Sequence, residues 1–156
     1  MKKIPSDIIS FLEKQGFVIV STLDPGGTIH CAAKGLVAVE EKGKLYLIDL
    51  YRKTTFNNLQ NNSTISITAV DEHEFIGYTL KGKAKIVERE KIKEEIIRNW
   101  EEGIIRRISS RVIKNIKREL KSLHHPESRF PHPEYLIEME IREIVDLTPH
   151  HLKRSV

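Results

Sequence analysis

The sequence predicts a mainly β chain of the α+β class: a closed or nearly closed barrel of antiparallel strands, with helices covering its ends. Short apolar segments recur between strong turn signals, the pattern of strands joined as hairpins. Residues 75–88 alternate with period two, Tyr78, Leu80, Gly82, Ala84 and Ile86 on one side and Thr79, Lys81, Lys83, Lys85 and Val87 on the other. One face then packs inward and the other carries lysines into water. Residues 88–123 switch to a helical period before a last alternating segment returns, which by layer rules closes a sheet under helices.

Ser6-Asp7 before Ile8, Ile9, Phe11 and Leu12 predicts a capped amphipathic helix ending at Gly16. Residues 17–22 are β-branched and apolar, a buried strand. Asp24-Pro25-Gly26-Gly27 turns the chain into a second strand over 28–39. A further turn at 40–43 leads to a third strand, 44–49, then a short helix, 53–61, and a fourth strand, 64–70. Polar residues 71–74 connect to the long strand 75–88. Ile92, Ile96, Trp100, Ile104, Ile108, Val112, Ile116 and Leu120 recur every four residues, an apolar helical stripe. Gly103 is a natural break, so two helices are expected, 90–102 and 104–123. A Pro/His-rich loop spans 124–133. Tyr135, Ile137, Met139 and Ile141 mark a late strand, and 146–156 reads as a polar tail.

At 156 residues the chain fits one domain, 1–156, with a helical segment about 89–123 and a returning strand about 134–145. An aromatic share of 6% disfavours recognition of stacked bases. The formal charge of +4 and pI near 9.1 suit an anionic partner. Much of the excess lies in 104–121, where Arg106, Arg107, Arg111, Lys114, Lys117, Arg118 and Lys121 outnumber Glu119. Such a run fits either the wet side of an amphipathic helix, the favoured reading, or a nucleic-acid or lipid surface. Cys31 is the only cysteine, which rules out an internal disulfide and fits a reducing cytoplasm. No signal peptide and no membrane-spanning apolar run are visible.

Seven histidines invite a metal site. His124-His125, His132 and His150-His151 sit among prolines on loops, so no metal is expected. His30 and Cys31 cannot act as base and nucleophile together, because strand neighbours point to opposite faces. A packed strand cysteine is expected instead. Trp100 reads as core.

The segment Tyr51-Arg52-Lys53-Thr54-Thr55 runs from the third strand straight into the short helix. Cations and hydroxyls there meet unpaired N–H groups and a positive helix dipole, a combination that can anchor a phosphate. The same residues also fit a plain cap, with Thr54 or Thr55 closing the helix and Arg52 and Lys53 solvated.

This strand order, with Arg-Lys-Thr opening a helix after the third strand, resembles the FMN-binding split-barrel family related to pyridoxamine 5′-phosphate oxidase. The likeness covers about residues 4–87. Its second strand, His30-Cys31-Ala32-Ala33-Lys34-Gly35, keeps a Lys-Gly pair, and Asn57 matches a position of the small FMN-binding members. The resemblance implies that Arg52, Lys53 and Thr54 bind the FMN phosphate and that Lys34 adds a further cation. It also implies that Cys31, Ala32 and Ala33 lie along the isoalloxazine edge. A homodimer with flavins at its interface and hydride or electron transfer with a small-molecule redox partner follow. The related alternatives are an F420-dependent reductase, a non-catalytic flavin or haem module, and a nucleic-acid binder acting through the basic helix. Ile29 and His30 stand where the oxidase proper has an arginine, so vitamin B6 chemistry is not implied.

Overall fold

The computed structural model describes residues 2–117 and 129–153. Six strands form a closed antiparallel barrel: β1 Val18–Leu23, β2 Ile29–Glu40, β3 Lys44–Asp49, β4 Thr64–Asp71, β5 Ile76–Glu88 and β6 Tyr135–Asp146. Their order around the barrel is β1-β2-β3-β6-β5-β4, with β4 returning to β1. The predicted mainly β, split-barrel class with peripheral helices is the one observed.

Alternation sets the inside. Leu45 and Leu47 of β3, Ile65 and Ile67 of β4, Leu80 of β5, and Ile137, Met139 and Ile141 of β6 are all essentially inaccessible and form one core. Helix α1 (Ser6–Glu13) adds Ile8 and Leu12, and helix α2 (Thr54–Asn61) adds Phe56 and Leu59. The chain before α1 docks where Lys44 pairs with Glu140, through Lys2 N–H to the Ile141 carbonyl at 2.8 Å. Helix α2 packs where Asp49 pairs with Tyr135, at the other end of β3.

A bulge between Lys81 and Gly82 lets β5 follow β6 around the barrel. A Cβ at Gly82 would lie 2.0 Å from the Glu140 carbonyl oxygen, so only glycine fits that crossing.

Helix α3 (Glu94–Lys117) lies outside the barrel. Its Ile96 and Trp100, with the preceding Ile92, pack on the outer face formed by Tyr46, Ile48 and Leu136. The expected break at Gly103 is absent. A single interior glycine costs a helix only about 1 kcal/mol, which its neighbours absorb. The stripe with spacing four does drift, by roughly 40° per step on a helix of 3.6 residues per turn. Val112 is therefore exposed while Trp100 is half-buried. The predicted stretch 118–123 and the start of the following loop, 124–128, lie outside the described residues. Pro5, with its φ fixed near the helical value, stands at the N-cap of α1 in place of the expected Ser6, which is already helical. The tail contains a short 3₁₀ turn, His150–Leu152. Among the described residues no helix is long and apolar enough to cross a membrane.

Candidate functional site

The corner between β3 and α2 gathers most of the predicted residues. Helix α2 begins at Thr54, and no side chain caps it. The Lys53 N–H turns back to the Tyr51 carbonyl at 2.9 Å, and the Lys53 carbonyl accepts from Asn57 N–H at 3.0 Å. The side chains of Arg52, Lys53, Thr54 and Asn57 are exposed. The first turn of α2 thus starts without a side-chain cap, directly after two cationic residues.

Both Arg52 and Lys34 already hold carboxylates. Arg52 reaches Glu88 and, at 3.1 Å, Glu134, while its guanidinium lies over the rings of Phe56 at 4.8 Å and Tyr135 at 5.6 Å. Glu88 raises the guanidinium's pKa further, and Arg52 in return holds the Glu88 carboxyl below the usual carboxylate range. These side chains are 37% to 57% exposed, so water competes for each pair. Lys53 has an aromatic neighbour instead, with its ammonium 5.5 Å from the Tyr51 ring.

Lys34 lies deeper. Its ammonium is 2.7 Å from an oxygen of Asp49, a residue only 3% exposed. The other Asp49 oxygen accepts the hydroxyl of buried Tyr135. Burial first, and then this bond, push the Tyr135 phenol well above the ordinary tyrosine range. Alternation explains the placement, since Asp49 continues the inward parity of Leu45 and Leu47 and Tyr135 that of Ile137.

The rest of β2 is more open. Cys31 and Ala33 point outward and are exposed, and Ala32 is half-buried. The expected packed cysteine is therefore corrected, because Cys31 shares the outward parity of Ile29 and Ala33. Its sulfur lies 3.4 Å from the Ser21 hydroxyl. In α2 the buried amide belongs to Asn58, not Asn57, and it donates to Thr22 at 3.0 Å, tying the helix to β1. Sequence reasoning missed Asp49, Tyr135 and Asn58. The inward parity of β3 and β6 carried a signal for the first two.

Residues 4–146 match the sequence profile of the pyridoxamine 5′-phosphate oxidase family. The chain belongs to that family. Among solved structures this family member is similar to HupZ of Group A Streptococcus, with TM-score 0.63, 15% identity, and coverage of 93% of this chain and 95% of that one. It is also similar to an F420 reductase (TM-score 0.58, 14% identity, 91% and 98% covered) and to the General Stress Protein 26 from Bacillus anthracis (TM-score 0.58, 17% identity, 92% and 94% covered). At such identities the likeness is one of fold. No curated protein matches the sequence.

Proposed function

We propose that the chain is a cytoplasmic FMN-binding flavoprotein, an oxidoreductase that exchanges a hydride or an electron with a small-molecule partner. The observation that supports it is the uncapped start of α2 with Arg52, Lys53 and Thr54 around it. A phosphate ester there accepts from first-turn N–H groups and the Thr54 hydroxyl, with Lys53 beside it. Arg52 joins by exchanging Glu88 and Glu134 for the phosphate. Both carboxylates are solvated, whereas a guanidinium–phosphate pair is bidentate and strong. Lys34 adds its charge to the site only by turning away from Asp49, with which it otherwise forms a pair of no net charge. The small side chains of Cys31, Ala32 and Ala33 let a flat ring approach the β2 backbone. Bound flavin supplies the redox chemistry, and the chain's residues position it and exclude competing reactions.

A second copy completes the site in this reading. The outward side chains of β1, β2 and β4 include Ile19, Ile29, Cys31, Ala33, Thr68 and Val70, a face without charge that suits a homodimer. The experiment is mass spectrometry of ligand released from native protein, which separates FMN from a deazaflavin such as F420 and from haem. Arg52→Ala/Lys53→Ala should lower cofactor occupancy by about tenfold or more. Unchanged occupancy in that variant refutes the anchor, and a monomer by light scattering refutes the shared interface.

A further inference from the structure

Helix α3 is divided by charge. Its first half, 94–102, holds Glu94, Glu95, Glu101 and Glu102 against Arg98 alone, while 104–117 hold five cations and no acid. The wet side of an amphipathic helix is where such cations belong, yet two of them turn inward. Arg107 donates to the Gly16 carbonyl at the end of α1, and Arg111 lies on that same inner side with Trp100. At about 100° per residue, Ile105, Val112 and Ile113 fall together within about 100° of arc on the opposite side. They are 61%, 37% and 53% exposed. Exposed Ser109 lies between them in angle, and exposed Glu101 and Glu102 continue the face into the acidic half.

An apolar face bordered by charge marks a contact surface when its own chain does not cover it. Among the described residues Glu101, Glu102 and Arg106 enter none of the ion pairs, so these charges too await partners. The occupant must suit both halves. An anionic membrane or a nucleic acid would be drawn to 104–117 and repelled by Glu101 and Glu102 on the same face. A second α3 laid parallel would set acid against acid and base against base. Laid antiparallel, it sets each acidic half against a basic one.

We propose that two copies of the chain associate through α3, the helices antiparallel about a two-fold axis near Ser109. In that register Ile105 of one copy is level with Ile113 of the other, and the small Ser109 side chains let the helices approach. The contact uses no residue of the corner at α2 and none of the barrel face on β1, β2 and β4. Strands β3 and β6, which carry α3, lie across the barrel from β4 and β1, so both contacts can form at once.

Sedimentation velocity on the full chain over a concentration series tests the pairing. Mass should rise with concentration, and Ile105→Gln/Ile113→Gln should weaken that step about tenfold or more. The thermal midpoint should be retained, since both positions are exposed and glutamine favours helix at least as well as isoleucine. The mass left in that variant reports the barrel-face dimer alone, and its cofactor content should match the parent's, so the two readings fail separately. Glu101→Lys/Glu102→Lys removes the acidic part of the face. Self-association should weaken about tenfold or more at low salt, whereas a lipid or nucleic-acid contact would be strengthened by the same change. The proposal is overturned if the parent and Ile105→Gln/Ile113→Gln show the same mass at every concentration, or if Glu101→Lys/Glu102→Lys associates as the parent does. It is equally overturned if phosphatidylglycerol vesicles or a DNA duplex bind the parent while its copies stay apart.

Discussion

Replacing Lys34 by Met tests whether the Lys34–Asp49 pair holds the barrel end together. The two charges are 2.7 Å apart, with 14% and 3% of their side chains exposed. At an effective dielectric constant near 20, the Coulomb attraction at that separation is about 6 kcal/mol before desolvation is subtracted. Removing one partner of a buried pair typically costs about 3–5 kcal/mol, because the other charge stays buried without compensation. Asp49 keeps its bond from Tyr135, and water reaches Lys34 in part, which sets the expectation at the lower end, about 3 kcal/mol. Urea unfolding followed by Trp100 emission should show the midpoint falling by about 1–2 M at an unchanged slope. Lys34→Met/Asp49→Asn removes both charges and leaves an amide oxygen for Tyr135, so its stability should return to within about 1 kcal/mol of the parent. A loss below about 1 kcal/mol in the single variant would show the pair to be water-screened, like those at Arg52. The reasoning about the barrel end would then be refuted.

Gly82→Ala should destabilise the fold by about 3 kcal/mol, since its methyl group meets the Glu140 backbone 2.0 Å away and neither strand can retreat. Thermal unfolding checks it, and an unchanged midpoint would remove the bulge from the account. Burial raises the phenol pKa of Tyr46, Tyr78 and Tyr135 above the ordinary tyrosine value. A group whose folded pKa is raised contributes stability that is whole below its unfolded pKa, about 10, and fades above it. Phenolate absorbance from these residues should therefore rise together with loss of structure, and a full rise on the folded protein would contradict the burial.

Strand positions were legible because period two survives in the residues themselves. Lys44–Asp49 was predicted and found with the same ends, since turns bound it on one side and Arg-Lys-Thr on the other. Gly103 misled because glycine's helix cost is small beside the packing that holds α3 to the outer face. At the site, the corner was legible from a strand running into a helix through cations. Its ion partners were not, for Glu88 and Glu134 lie 36 and 82 residues from Arg52, and their pairing arises only when β5 and β6 close. Asp49 stood in plain view, an acid at an inward position after Leu45 and Leu47, where a buried counter-ion was required.

Strand β6 comes after all the others in the chain, yet it sits between β3 and β5. During synthesis those two ribbons must wait with bare amide and carbonyl rows until residues 135–146 emerge. Such rows are templates for foreign pairing. A nascent chain stalled before Tyr135 would therefore have α1, α2 and α3, an unclosed sheet, and two adhesive margins for chaperones to guard.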